Sequence, residues 1–251
     1  MALLTVARPA AGEGKTWMIA GWAWFKLWPI PWMGMTALAF LVLMALGSLP
    51  YVGSYLVELL SPFLVAGYMS ASRAAADDQP VTFLHLGAGF RGEARIPLAI
   101  IGAIYLVGIL FVDMVMRGMG GEGFQQLAQL AQAPQRLTPE AAQAIIDQAL
   151  PAILTGLLLL TPLVMATWYA PALVLFNGFS PTNGLWWSLW ACAVNWRPLL
   201  LYSMLLGLVG VVAVLIPFGL GLLVFLPWVM ASTYAAYRAM FQPLSPAEAT
   251  V

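Results

Sequence analysis

Charge is what this sequence has least of. Only 8% of its 251 residues are Asp, Glu, Lys or Arg, against 62% hydrophobic, where soluble domains carry roughly 25% charged residues. So little charge cannot coat a globule of this size in water. A bilayer removes the difficulty, because a surface facing hydrocarbon needs no polar coat. The charges that exist balance at ten and ten, with no basic run, which excludes nucleic acid as a natural partner. Cys192 is the only cysteine, so an internal disulfide and a thiolate metal cluster within one chain are excluded. The amino-terminal MALLTVARPAAGEGK lacks the apolar core and cleavage site of a secretory signal, and the chain is expected to be mature, anchored by its own first span.

Long apolar runs are what it has instead. Six stretches approach the roughly twenty apolar residues that a span needs: 33–49, 51–72, 96–116, 150–177, 198–215 and 218–240. The runs are continuously apolar and do not alternate with period two, which points to helices and not barrel strands. The fold class expected is therefore all-α, a polytopic transmembrane bundle of about six spans forming a single domain over residues 1–251. Pro50 leaves almost no loop between the first two spans, so they should form a tight helical hairpin. An even number of spans puts both termini on one side. Eight of the ten Lys and Arg residues fall on that side, and only Arg117 and Arg136 opposite, so the termini are expected in the cytoplasm.

Residues 118–149 are the one long polar segment, expected outside as two short amphipathic helices. Phe124, Leu127 and Leu130 recur at helical spacing, and Thr138-Pro139-Glu140 reads as an N-cap, a first-turn proline and a first-turn acid. Nine of the eleven tryptophans lie in two stretches on the opposite, inner side. Within residues 1–32, expected as a cytoplasmic tail and interfacial helix, Trp17, Gly21, Trp24 and Trp28 share one helix face, with Lys15 and Lys26 opposite. The second stretch holds Trp186, Trp187, Trp190 and Trp196. Trp17, Trp24, Trp28, Trp186 and Trp190 are the expected membrane-interface anchors, and residues 241–251 a second cytoplasmic tail.

An internal echo accompanies this layout. SPFLVAGYMSASR leads to RIPLAIIGAIYLVG as APALVLFNGF leads to WRPLLLYSMLLGLVG, so Pro62 matches Pro171 and Arg95-Ile96-Pro97 sits opposite Trp196-Arg197-Pro198. Each half is a span, a cytoplasmic amphipathic piece and a returning span, which predicts a parallel repeat about the membrane normal. The stretches GKTWMIAGWAWFKLWP, SLPYVGSYLVELLSPFLVAGYMSASR, FLHLGAGFR and APALVLF make the chain, from Gly14 to about Phe241, resemble bacterial inner-membrane proteins of about six helices. These include the YciC-like group and the membrane domain found beside glycerophosphodiester phosphodiesterases. The resemblance implies a fold and a bacterial inner-membrane address, with no established activity to carry over.

Few residues suggest chemistry. Gly118-x-Gly120-x-x-Gly123 matches a dinucleotide fingerprint in form only, because no strand precedes it, and a flexible outer linker is expected there. His85 has no second ligand near it in sequence and is expected to pack or lie at the surface, with pH sensing as the alternative. Glu58 stands apart, about 12 Å into the second span. A carboxylate at that depth is costly: it either serves as hydrogen-bonded glue between helices or marks an ion or proton path. Pro62 and Pro171 are helix-kink candidates, and broken helices at matching points of two repeats are a mark of transporters. With no paired nucleophile and base, no metal triad and no phosphate loop, the sequence leads to a non-enzyme without cofactor or metal. Its expected partners are the bilayer and other membrane proteins. Two roles stay open: envelope maintenance, scaffolding or regulation; or a small transporter or channel for a lipidic, weakly polar or cationic substrate.

Overall fold

The computed structural model describes residues 4–132 and 138–243. The fold is all-helical apart from one short strand pair: β1 (Leu4–Val6), α1 (Glu13–Leu27), α2 (Pro29–Gly47), α3 (Gly53–Ala76), two 3-10 segments (Phe83–Phe90 and Gly92–Ala94), α4 (Arg95–Gln132), α5 (Pro139–Trp168), α6 (Ala170–Asn177), α7 (Pro181–Val194), α8 (Trp196–Leu215), a 3-10 turn (Pro217–Gly219), α9 (Leu220–Met240) and β2 (Phe241–Pro243). Among these residues, five helical stretches are long and apolar enough to cross a membrane: Pro29–Gly47, Gly92–Met119, Pro139–Asn177, Trp196–Leu215 and Pro217–Met240. Only 17–39% of each is buried by protein. Among the rest, Leu41, Val107, Leu158, Leu208 and Leu220 are exposed apolar surface that water would penalise and hydrocarbon would not.

α3 is not among the five, although a span was expected at 51–72. Its position explains its composition. It is enclosed by α2, the Phe83–Phe90 segment, α6 and α9, and it buries ten of its residues, including Tyr68, Met69 and Ser72. A helix shielded by protein does not need lipid-compatible side chains all round. The hairpin expected between the first two spans is present: α2 stops at Gly47, α3 starts at Gly53, and Gly53 lies directly on the Leu46 carbonyl. Trp32 of α2 stacks on Tyr68 of α3 with rings 3° from parallel, and the Tyr68 hydroxyl donates to Thr36 Oγ1 at 3.1 Å.

The chain divides into two compact units, residues 1–102 with 166–251, and residues 103–165. The second is an antiparallel arm made from most of α4 and α5. Gly108 meets Leu163, Gly156 meets Met116, and Gly123 meets Gln148, so one small residue sits at each of three contacts about two turns apart. The flexible linker expected at Gly118 to Gly123 is accordingly absent: these residues continue α4, because Gly123 lets its backbone approach that of Ala149. The first of the two expected short helices is thus the end of α4. The second is the start of α5, opened as expected by Thr138, whose Oγ1 accepts from Ala141 N–H at 3.3 Å. The side chains of Phe124 and Leu127, and Arg136 altogether, lie outside the described residues.

In the first unit Leu4–Val6 and Phe241–Pro243, which fall in the two segments expected as tails, are joined, and residues 244–251 of the second expected tail lie outside the described residues. β1 and β2 pair antiparallel, with Thr5 opposite Gln242, and Ala7 N–H continues the ladder to the Met240 carbonyl at 2.8 Å. Length and apolarity hid this pair from a search for helices, since three-residue strands carry no periodic signal.

Candidate functional site

The first unit is organised around α1, which lies against the antiparallel α8–α9 hairpin. Two glycines a helical face apart permit this. A Cβ on Gly14 would stand 2.8 Å from the Pro198 carbonyl oxygen and 3.1 Å from Tyr202 Cβ, and one on Gly21 would run into the Ser232 backbone. Tyr202 and Ser232 are themselves joined, hydroxyl to hydroxyl, at 2.7 Å, with Thr233 Oγ1 3.1 Å from the same phenol oxygen. Gly14 therefore seats α1 on α8 and Gly21 seats it on α9, along which α1 makes its most extensive contact. The Trp228 indole N–H donates to the Met18 carbonyl at 2.8 Å and pins the middle of this contact.

This geometry sorts the tryptophans. Trp17, expected as an interface anchor, is 2% exposed and meets Tyr202 edge to face at 5.8 Å, because the Gly21 face of α1 is the face that α8 and α9 cover. Trp24 leans on Tyr234 at 5.9 Å, and Trp28 packs on the cluster of Phe25, Trp32, Met35 and Ala71. Trp186 and Trp190, on α7, are 64% and 49% exposed. Lys15 and Lys26 are exposed too.

The other expected residues are spread out. Pro62 lies inside the continuous α3, whereas Pro171 lies in the first turn of α6, just after the break at Tyr169. The two prolines thus punctuate differently, although Phe63 and Ala66 beside one share a buried cluster with Ala170 and Val174 beside the other. Pro97 and Pro198 do correspond, each third in its helix. Glu58 is half-buried on α3, next to the crossing where Gly102 of α4 meets the Leu59 carbonyl. Its own carbonyl accepts from Ser61 Oγ at 3.0 Å, and its carboxyl has no hydrogen-bond or ion-pair partner among the described residues. His85 caps its 3-10 segment, with Nδ1 accepting from the Thr82 N–H at 3.1 Å. Among the described residues, no group of three or more His, Cys, Asp or Glu is placed to hold a metal.

Sequence reasoning missed three features of the first unit. One is an aromatic cluster in which Tyr237 and Phe241 meet the buried Tyr169 while Tyr237 also meets Tyr234 and Phe176, closed by Arg73 above the Phe176 ring at 5.1 Å and by the Tyr237 hydroxyl donating to Asn177 Oδ1 at 2.6 Å. The second is a pair of adjoining apolar clefts below α1, about 440 and 320 Å³, which share Trp22 and Trp228 as walls. The third is a polar cavity of about 380 Å³ at the start of α8, where Arg8 and Arg197 meet Asn195. The Asn195 side chain is held there, its amide donating to the Ala7 carbonyl at 3.1 Å. The seven-residue spacing of Gly14 and Gly21 was the one visible signal for this seating of α1. None existed for the clefts, which need three helices at once.

An all-helical body whose long helices turn apolar side chains outward, with aromatic clusters at their ends, fits a helical membrane protein. Comparison with protein-family models, with curated proteins and with solved structures finds no match for this chain.

Proposed function

We propose that this is a non-catalytic protein of the bacterial inner membrane, crossing the bilayer six times with both termini cytoplasmic, and serving envelope maintenance, scaffolding or regulation through contacts with lipids and other membrane proteins. The observation that carries the reading is α1 clamped over α8 and α9. Its aromatic face is spent on internal packing, and Lys15 and Lys26 are held outward on a fixed support. Such a face contacts a partner or a headgroup layer without first paying to become ordered.

Parity supports six crossings. β1 and β2 lie in one sheet directly before α1 and directly after α9, so an even number of crossings fits between them. Five helical stretches are apolar enough, and α3, wrapped by protein, supplies the sixth. Arg8, Arg95, Arg197 and Arg238 stand at the ends of elements on the strand-pair side of this scheme, which supports a cytoplasmic assignment for that side.

The partnerless carboxyl of Glu58 favours a second reading, a small transporter or channel, in which it lies on the substrate path. Purification of the intact protein in mild detergent, with identification of co-isolated proteins and small molecules, separates the two. A reproducible protein partner is expected; a stoichiometric small polar or cationic solute with no partner would replace the scaffold by the transporter.

A further inference from the structure

The two apolar clefts adjoin at Trp22 and Trp228, whose rings meet edge to face at 5.4 Å, and their shape and charge select an occupant. On α1, Lys15, Met18, Ile19 and Trp22 line the upper part of this groove, facing Leu205 of α8 and Trp228 of α9. From Trp22 and Trp228 the second cleft runs along the α8–α9 seam past Val209, Val212 and Phe225 to Ile216. Leu205 to Ile216 spans about 16 Å at helical rise, close to one leaflet of a hydrocarbon core about 30 Å thick. Lys15 is the only charged residue lining either cleft, and it stands at the head of the groove. It has no ion-pair partner among the described residues. Glu13, the one acid on α1, lies about 200° around the helix from Lys15 and so on another face. Arg8 and Arg197 line the polar cavity at the same end of α8, where Pro198 lies two turns before Leu205 on the same face.

We propose that this groove binds an anionic glycerophospholipid, with the phosphate headgroup at Lys15 and one acyl chain along the α8–α9 seam. The apolar walls offer a chain nothing to hydrogen-bond, so the tail is held by shape and by burial of Trp22 and Trp228. The cation at the mouth sets the preference for charge. The proposal rests on the reading that α8 and α9 cross the bilayer, and it goes beyond that reading by naming the lipid class and the residue that selects it.

The test reconstitutes the intact protein in vesicles of equal phosphatidylglycerol and phosphatidylcholine, re-extracts it in mild detergent and counts retained lipids by native mass spectrometry. Wild type is expected to retain phosphatidylglycerol about fivefold over phosphatidylcholine, the factor one basic side chain supplies near an anionic lipid. Lys15→Gln should remove most of this preference and Lys15→Glu all of it, with melting curves unchanged, since Lys15 is exposed. Leu205→Trp, which fills the groove, should lower retention of both lipids. Equal retention of the two lipids by wild type, a preference that survives Lys15→Glu, or occupation of the groove by a second copy that Leu205→Trp dissociates would each overturn the proposal. Alkaline carbonate extraction of the same vesicles keeps the two failures apart: a protein that washes off defeats the membrane reading, whereas one that stays inserted but ignores headgroup charge defeats only the lipid site.

Discussion

Glu58 and Cys192 pose opposite problems at the scale of the residue. Glu58 is a polar group without a described partner, and its side chain decides between the two functional readings. If it is structural, Glu58→Gln, which keeps shape and hydrogen-bonding capacity, should leave expression, melting and complementation of a deletion strain unchanged, while Glu58→Leu changes stability. We expect the Gln variant to complement; a well-inserted, stable Gln variant that fails would establish the need for a titrating charge and promote the transporter. Cys192 is a reactive group without access. It lies buried on α7, and burial pushes its thiol from about 9 up to about 12. In the folded protein, maleimide labelling should therefore be near zero at pH 8 and become complete on denaturation. The sign for stability follows: between pH 9 and 12 the unfolded chain releases a proton that the native chain retains, so stability falls with rising pH across that window, and Cys192→Ser should lessen the fall. Rapid labelling of the native protein at pH 8 would contradict the burial.

Helix α1 shows how small residues direct the larger elements. Gly21 touches the Ser232 backbone, which has no flexible end to give way, whereas Gly12 has nothing within 4 Å of a built Cβ. Gly21→Ala is expected to cost about 1–3 kcal/mol through displacement of α1, with Gly12→Ala near neutral; thermal melting in detergent measures both, and equal melting temperatures would mean that α1 is not clamped. The arm of α4 and α5 obeys the same rule. Its glycines were legible as letters, but their spacing in a polar stretch reads equally well as a loop, and only the opposing helix shows that Gly123 serves a contact. α4 runs for 38 residues, or about 57 Å at helical rise, nearly twice the hydrocarbon thickness. An arm of the two helices therefore has length to spare beyond the bilayer.

For the molecule as a whole, the cytoplasmic side is tested with single cysteines in a Cys192→Ser background and an impermeant thiol reagent applied to intact cells. A cysteine at Gln132 should label and one at Gln79 should not; the reverse pattern would invert the topology. The repeat, read from Pro62 to Gly108 and from Pro171 to Gly210, is expected to superpose by rotation about the membrane normal in an experimental structure. Opposite insertion of the two helix pairs would make the echo accidental. The matched places of Pro97 and Pro198 favour the repeat, while the different settings of Pro62 and Pro171 count against it.

What the sequence determined by itself is the solvent, and with it the class of fold. Scarce charge and long apolar runs leave hydrocarbon as the surroundings and helices as the form, because the penalty for a bare peptide group in lipid is local and additive along the chain. The α2–α3 hairpin, the Thr138 cap and the helical runs followed from neighbours in sequence. What only the tertiary structure decided depends on residues far apart: Leu4 to Val6 pairing with Phe241 to Pro243, Trp17 turned inward onto Tyr202, and a groove closed by α1, α8 and α9 together. A tryptophan pattern is the same whether its face meets headgroups or another helix. The choice between them is made by a glycine two hundred residues from the serine it touches, through contacts that no local period encodes.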